Sequence, residues 1–403
     1  MQPRIQFRVV SNGPLKILFI HVSRNSATEY EIHRTLADGA DPKEITSYFF
    51  WQRSRGWNES SPTRQPRDYF FDFGRDLSIE PKPTKIRRAF LMFRRSPANF
   101  VRMCSLVRNI RPNIIYVSQQ RYDLYLAVLM KLLFKIPYIV HVHYPVGPWL
   151  GQATLAVLPR SRHTIACSDF VRRTLIKNGS DEKNIKVIHN PVRLESFLLP
   201  RKSHAFRDEC KIPRSAPVIV SAGRIDPEKG HDALVESFGE IRDRFPEVYV
   251  IICGQTFGNE GYATKLVNRV KALGLERRIF FLGQRRDLPE IFADCHIFCL
   301  PTLEEAFGLV FTEAMAAGLP VVACQSGAVP EIVINGVTGL LSEPRDFKKL
   351  AANLELLLLN HDLAAQLGKA GRARAQTEFT PALITKLWTT HLFLLSKKLA
   401  ASG

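Results

Sequence analysis

The chain has 403 residues, of which 45% are hydrophobic and 23% are charged, and it carries a formal net charge of +18. This length favours two domains over a single core, and the composition excludes disordered and collagen-like chains. A charge this positive is typical of proteins that bind a polyanion or an anionic membrane surface.

Short apolar runs alternate with amphipathic stretches in the first half of the chain. Strands are predicted at residues 16–22, 113–118, 137–142, 164–167 and 185–188. This alternation is typical of βαβ units and parallel sheets. Residues 52–83 interrupt it with Trp, Arg, Ser, Pro and aromatic residues in no regular period. We interpret that segment as a long insertion, either a functional loop or a disordered one.

The pattern restarts after a polar, proline-containing stretch, residues 199–217, which we interpret as a linker. Strands are then predicted at 218–222, 248–253, 279–282, 296–300, 320–323 and 339–341. Two doubly wound domains are therefore expected, at 1–198 and 199–380. A last helix, 381–400, has one apolar face and is expected to pack back on the first domain. Such sheets bind ligands at the carboxyl ends of their strands.

The excess positive charge lies in the first half. Residues 1–200 contain 31 basic and 15 acidic residues, whereas residues 201–403 contain 25 and 23. The densest stretch, 53–111, has 14 basic and 5 acidic residues. The two halves are therefore expected to bind different partners.

Seven cysteines occur without a Cys-x-x-Cys pair, which favours buried thiols in a reducing compartment. The chain also begins without an apolar leader. We therefore expect a cytoplasmic protein.

One candidate site follows the strand 218–222, in the sequence SAGRIDPEKG. Gly223 permits a tight exit from the strand. Arg224 offers a planar set of donors suited to phosphate, and Lys229 offers a second, mobile charge. The pair is either a clamp for a diphosphate or a surface turn with two solvated cations.

A second candidate site is EEAFGLVFTEAM, which begins at Glu304. A helix is predicted from Leu309, and main-chain N–H groups at its start would face an anion. Glu305 lies in the preceding loop and Glu313 in an apolar part of the helix, where a carboxylate usually has a partner. Hydroxyl groups of a ribose or sugar would suit both carboxylates, although a solvated acidic loop is the alternative.

A third strand-to-helix turn, SGAVPEIV from Ser326, is rich in small residues that permit close approach of a ligand. The chain contains neither a Walker A sequence nor a Gly-x-Gly-x-x-Gly run after its first strand. Nucleotide hydrolysis and simple dinucleotide redox chemistry are therefore not supported.

These segments, with NGVTGLL, resemble the carboxy-terminal signature of the retaining GT-B glycosyltransferases of family 4. The resemblance is dense from residue 217 to residue 341, and Glu305 and Glu313 match the family's pair of glutamates eight apart. The first half resembles the family more loosely, in ACSDFV, in IHNPV and in IVHVH, which ends at His143. Pro191 replaces the family's glycine in the second of these.

The resemblance implies a GT-B fold, with two Rossmann-like domains facing across a cleft. It implies an acceptor bound by residues 1–198 and a nucleotide-sugar donor bound by residues 199–380. His143 would orient the sugar or the acceptor, and no metal or cofactor would be required. The implied donor-binding residues are Gly223, Arg224, Lys229, Glu305, Phe307, Gly308, Leu309 and Glu313, of which Arg224, Lys229 and Glu305 also serve catalysis.

The implied reaction is sugar transfer with retention, from a UDP- or GDP-sugar to a glycan or lipid-linked acceptor, in surface polysaccharide or glycolipid biosynthesis. The basic first domain would lie against an anionic membrane surface or an anionic acceptor, and in the first case the protein would be peripheral on the inner face of the cell membrane. One departure is loop 23–29, which lacks the family's glycines and contains Arg24.

Three alternatives belong to other functional classes. A catalytically inactive, glycosyltransferase-like scaffold would keep the fold but not the reaction. A nucleic-acid-binding protein would explain the charge, but the chain contains no recognisable binding motif for DNA or RNA. A sugar-nucleotide epimerase or a phosphorylase would share the GT-B fold, and the context of the two glutamates disfavours it.

Overall fold

The structure, a computed structural model, describes residues 13–23, 27–53, 64–71, 97–161, 163–198, 203–256 and 258–401. These residues form two compact units. The first unit contains the residues up to Pro191 and those from Ile384 onward, and the second runs from Val192 to Leu383. Within the described part of the chain, no helix combines the length and the apolar character needed to span a bilayer.

The first unit contains a seven-stranded parallel sheet in the order β3-β2-β1-β4-β5-β6-β7. Its strands are β1 (Leu15–His21), β2 (Ile45–Gln52), β3 (Asp68–Phe71), β4 (Ile114–Ser118), β5 (Tyr138–Val142), β6 (Thr164–Ala166) and β7 (Ile185–Val187). Its helices are α1 (Ala27–Gly39), α2 (Pro97–Ile110), α3 (Arg121–Phe134), α4 (Gln152–Val157) and α5 (Asp169–Lys177).

The second unit contains a six-stranded parallel sheet in the order β10-β9-β8-β11-β12-β13. Its strands are β8 (Val218–Ala222), β9 (Tyr249–Cys253), β10 (Ile279–Gly283), β11 (Ile297–Leu300), β12 (Val321–Cys324) and β13 (Gly339–Ser342). Its helices are α6 (Ala205–Cys210), α7 (His231–Ile241), α8 (Glu260–Ala272), α9 (Leu288–Ala293), α10 (Leu309–Ala316), α11 (Val329–Ile332), α12 (Phe347–Leu359) and α13 (His361–Glu378).

The last helix, α14 (Pro381–Ala401), contributes to the core of the first unit. Trp388 and Leu392 are fully buried there, beside Phe19 of β1. The Trp388 Nε1–H donates a hydrogen bond to the Tyr116 hydroxyl of β4 at 3.1 Å. The apolar face that the sequence shows in this helix therefore packs within the first unit.

All eleven predicted strands are present, but two strands and one helix depart from the sequence interpretation. The interpretation of residues 52–83 as an insertion is wrong at its described part, since Asp68–Phe71 is the edge strand β3 and pairs with β2. The alternation of apolar runs and amphipathic helices did not reveal β2 or β3, because no described helix lies between these two strands. The predicted linker, 199–217, contains α6, whose Arg207 is buried and ion-paired with Asp294.

Candidate active site

The turn after β8 lies directly against the end of β11. Asp226 caps the 3-10 turn Pro227–Lys229 by accepting a hydrogen bond from the Lys229 N–H at 3.2 Å. Gly230 follows with a φ of 68°, and a Cβ at this position would lie 2.1 Å from the carbonyl oxygen of Pro301. Both the backbone conformation and the close approach therefore require glycine.

Two hydrogen bonds attach the loop after β11 to this same turn. The Leu303 N–H donates to the Glu228 carbonyl at 2.7 Å, and the Thr302 hydroxyl donates to the same oxygen at 2.9 Å. Because β8 and β11 are neighbours in the sheet, their carboxyl ends bring the two predicted sites together.

Lys229 and Glu305 form an ion pair, with 2.6 Å between Nζ and Oε2. Their side chains are only 15% and 13% exposed, so both charges are largely withdrawn from water. Arg224 is half exposed and lies 3.2 Å from Asp226 and 3.4 Å from Glu228. The predicted diphosphate clamp thus combines one partly buried cation with one cation at the surface.

The turn after β12 holds the main chain of Glu305 in place. Gly327 has a φ of 54°, and a Cβ there would lie 2.3 Å from the Glu305 carbonyl oxygen. The Ala328 N–H donates to that oxygen at 2.8 Å, and the Ser326 hydroxyl donates to the Thr302 carbonyl at 2.6 Å. The small residues of this turn therefore admit the main chain of the loop that carries Glu305.

Helix α10 begins at the end of that loop. Gly308 precedes it with a φ of 91°, and a Cβ there would lie 2.6 Å from the Phe311 ring. The first N–H groups of a helix, here from Leu309, have no carbonyl partner within it and suit an anion. The Phe307 ring is buried and packs edge-to-face on Phe379. Only the Phe307 main chain is therefore placed to bind a ligand.

Glu313 and Gly223 complete the predicted donor set. Glu313 lies in the second turn of α10 and is partly buried. Gly223 does not have a left-handed φ, and the nearest atoms to a Cβ placed there are 3.8 Å away. The strict need for glycine at this turn therefore lies at Gly230 and not at Gly223.

His143 follows β5 in the first unit and is 5% exposed. Its Nδ1 lies 3.1 Å from Asn190 Oδ1, and its Nε2 lies 3.2 Å from His33 Nε2. Burial lowers the pKa of His143 to about 3, so the ring is neutral at pH 7. Both ring nitrogens contact protein groups, so a sugar would reach either one only by displacing a partner.

His143 belongs to a buried group of four, which we name the histidine cluster: His21, His33, His141 and His143. His21 Nε2 lies 3.1 Å from His33 Nδ1, and His141 Nδ1 lies 2.9 Å from the Tyr116 hydroxyl. Burial lowers the pKa of His21 to about 3 and those of His33 and His141 well below the ordinary value. Sequence reasoning missed this cluster, although the His-x-His pair at β5 was its visible signal.

Two buried carboxyl groups lie beside the end of β1. Asp123 accepts a hydrogen bond from the Ser23 N–H at 2.9 Å, and burial raises the pKa of its carboxyl group to about 6. Glu29 accepts one from Gln119 Nε2 at 3.1 Å, and burial raises the pKa of its carboxyl group to about 8. Loop 23–29, which lacks the expected glycines, therefore begins with a residue that is hydrogen-bonded to the buried Asp123. Its residues 24–26, which include Arg24, lie outside the described part.

Two family models match the chain at these sites. The model for Glycosyltransferase Family 4 matches residues 58–196, and the model for Glycosyl transferases group 1 matches residues 203–374. The chain belongs to glycosyltransferase family 4. The first match contains His143, and the second contains the three turns that meet at Glu305. The family predicted from the sequence is confirmed.

Curated relatives match mostly through part of their length. A D-inositol 3-phosphate glycosyltransferase of Corynebacterium aurimucosum is 34% identical over 191 residues, which is 46% of this chain and 45% of the relative. The sulfoquinovosyl transferase SQD2 of Arabidopsis thaliana is 27% identical over 306 residues, 71% of this chain and 58% of SQD2. The matched residues thus cover 45% of the first relative and 58% of the second, which is less than two thirds of either.

Solved structures match nearly the whole chain. Anabaena Alr3699/HepE in complex with UDP has a TM-score of 0.76 at 22% identity, and the match covers 94% of this chain and 99% of HepE. Sucrose-phosphate synthase from Thermosynechococcus elongatus has a TM-score of 0.74 at 20% identity, with 96% and 100% covered. The predicted GT-B fold is confirmed.

Proposed function

We propose that this chain transfers a sugar from a nucleotide-sugar donor to a glycan or lipid-linked acceptor, with retention of anomeric configuration. The observation that carries the proposal is the ion pair of Lys229 and Glu305, at the ends of β8 and β11 and on the loop that leads into α10. A cation, a carboxylate and a helix start suit a diphosphate that bears a sugar.

The predicted donor residues other than Gly223 each receive a role on this proposal. Lys229 exchanges its contact with Glu305 for the diphosphate, and Arg224 closes on it from the surface. Both cations stabilise the charge that develops on the leaving group. Because they supply this positive charge, we propose that transfer requires neither a metal nor a cofactor. Glu305 and the main chain of residues 307–309 contact the sugar and phosphate, and Glu313 accepts hydrogen bonds from the ribose.

The proposed reaction uses no nucleophilic carboxylate. The leaving phosphate accepts the proton of the acceptor hydroxyl on the face from which it departs, so the new bond forms on that same face. A pair of glycosidase-type carboxylates is then unnecessary. His143 is proposed to orient the sugar or the acceptor from the first unit.

A UDP-sugar is the first donor to test, with GDP-sugars as the alternative. The complexes of HepE with UDP and UDP-glucose support this choice. An anionic acceptor is supported by relatives named for transfer to D-inositol 3-phosphate. It is also supported by the 31 basic and 15 acidic residues of the first half.

The test is a panel of UDP-, GDP- and ADP-sugars, read as protection against thermal unfolding and as transfer to lipid and glycan extracts. Protection by one nucleoside diphosphate is expected, and Lys229→Met should reduce it. Lys271→Met, at an exposed lysine of α8, is the matched control and should leave it unchanged. Absence of any nucleotide binding would refute the enzyme, whereas binding without transfer would favour the inactive scaffold.

We further propose that the protein is cytoplasmic and that its basic first half associates with an anionic membrane surface. On this proposal it acts in surface polysaccharide or glycolipid synthesis. Arg102 and Arg108 of α2 are exposed, and each basic residue near an anionic surface contributes about 1 kcal/mol. Vesicles that contain phosphatidylglycerol should sediment more of the protein than vesicles without it. Added salt should remove the difference. Equal binding to neutral vesicles, or none to either, would contradict the proposal.

A further inference from the structure

Three rings of the histidine cluster lie close enough to share one ion. His33 comes from α1, His141 from β5, and His143 from the residue that follows β5. One ring nitrogen of each lies within 4.8 Å of those of the other two. All three side chains are buried, so the group is an interior feature and not a chance arrangement of surface residues.

The second nitrogen of each ring has a partner in the surrounding protein. His143 Nδ1 meets Asn190 Oδ1 at 3.1 Å, and His141 Nδ1 meets the Tyr116 hydroxyl at 2.9 Å. His33 Nδ1 meets Nε2 of His21 at 3.1 Å. Metal-binding histidines usually have such a partner at the other nitrogen, which orients the ring. These partners occupy Nδ1 of each ring, and a common ligand at the three Nε2 atoms would replace the 3.2 Å contact between Nε2 of His33 and Nε2 of His143.

We propose that His33, His141 and His143 bind one transition-metal ion of the Zn²⁺ class through their Nε2 atoms. Tetrahedral zinc with bonds of about 2.0–2.1 Å places its nitrogens roughly 3.3 Å apart. His33 Nε2 and His143 Nε2 lie 3.2 Å apart, near this value. One ring nitrogen of His141 lies within 4.8 Å of the other two rings' nitrogens, so that nitrogen has to move closer by about 1.5 Å or less to reach this spacing. Imidazole ligands favour Zn²⁺, Cu²⁺ and Ni²⁺ over Mg²⁺ and Ca²⁺.

A polar atom without a partner gives a second, independent reason. Within the described residues, His141 Nε2 is buried and makes no hydrogen bond. An unpaired buried polar group costs about 1–3 kcal/mol. A bound ion would remove this cost, whereas a simple hydrogen bond between His33 and His143 would leave it in place.

The three histidines belong to the first unit and the predicted donor residues to the second, and ion binding by the histidines does not require the proposed transferase activity. Coordination would occupy Nε2 of His143, and Nδ1 contacts Asn190, so His143 would orient the sugar or the acceptor through its main chain. Because the rings are buried, the ion would enter as the unit folds and would add its binding free energy to stability. The ion is thus expected to stabilise the first unit, and this effect can be measured without any sugar transfer.

The test uses the full chain without a polyhistidine tag, stripped with a chelator and titrated with ZnCl₂ and CoCl₂. We expect one ion per chain, a visible Co²⁺ spectrum of a nitrogen-coordinated tetrahedral site, and a higher unfolding temperature with zinc. His141→Gln removes a ligand and should weaken binding at least tenfold. Asn190→Ala removes the partner of His143 and should weaken it about 10–100-fold. His361→Gln, at an exposed histidine, is the control.

Two results would overturn the assignment. One is folded wild-type protein, verified by circular dichroism, that binds no zinc at a 1:1 ratio. The other is a folded variant, His141→Gln or Asn190→Ala, that binds zinc as tightly as the His361→Gln control. If His141→Gln does not fold, Asn190→Ala alone decides, because it keeps all three ligands.

Discussion

Replacing Gly327 by alanine tests whether the turn after β12 positions Glu305. The new Cβ would lie 2.3 Å from the Glu305 carbonyl oxygen and 2.7 Å from its main-chain nitrogen. Ordinary contacts of this kind begin near 3.4 Å, so the loop has to retreat by about 1 Å. That shift would also strain the hydrogen bond from the Ala328 N–H.

The expected loss of unfolding free energy has two parts, which a variant at a second glycine separates. A left-handed alanine costs about 1 kcal/mol, and a buried overlap costs about 1–3 kcal/mol more. Gly336 has a φ of 74° but nothing within 4 Å of a Cβ, so Gly336→Ala carries only the first cost. Misplacing a ligand-binding loop by about 1 Å also lowers a rate by roughly 100-fold.

The assay measures two quantities for both variants, the midpoint of urea unfolding and the rate of sugar transfer. The sugar donor is the one identified in the panel. Gly327→Ala should unfold at a lower urea concentration than Gly336→Ala and should lose most of its transfer rate. Equal unfolding midpoints would show that the loop yields without cost. Equal transfer rates would show that the position of Glu305 does not matter to the reaction.

The other predictions concern the ion pair, the buried acid and the last helix. Lys229→Met and Glu305→Gln should be non-additive by about 0.5–3 kcal/mol in a urea double-mutant cycle, and additive losses would contradict their pairing. Burial raises the pKa of Glu29 from about 4.5 to about 8, so its contribution to the free energy of unfolding falls as the pH rises through that window. The difference in urea midpoint between wild type and Glu29→Gln should therefore change between pH 5 and pH 8, and a constant difference would show an ordinary pKa. Trp388→Ala should cost about 3–5 kcal/mol, whereas Leu387→Ala, at a half-exposed position of the same helix, should cost under about 0.5 kcal/mol. Equal losses would contradict the packing of this helix.

The second unit was the more predictable part, because its signals are local. Apolar runs such as Val218–Ala222 are followed by a turn whose glycine, Gly230, the backbone itself requires. The pairing of Lys229 with Glu305 across 76 residues needs one further fact, the adjacency of β8 and β11. Strand order is a tertiary property, so the sequence predicted both residues but not their contact.

The histidine cluster and the strands β2 and β3 were not predictable in this way. His33 is on a helix face, and His143 is 110 residues further along the chain, so no spacing links them. The β3 segment has only four residues and lies in a stretch rich in charged residues and proline. Its role as an edge strand depends on β2 beside it, which periodicity does not reveal.

The position of Trp388 has a consequence for the order in which the chain folds. The contact of Trp388 with Tyr116 joins residues 272 apart, and it closes the core of the first unit with residues that follow the second unit in the chain. The second unit is continuous from Val192 to Leu383 and therefore has all its residues before the first unit does. During synthesis, part of the apolar core of the first unit therefore stays uncovered until the whole second unit and the last helix of the first unit have emerged. Non-local closure of this kind slows folding, because the entropy of a long loop is lost before the contact forms.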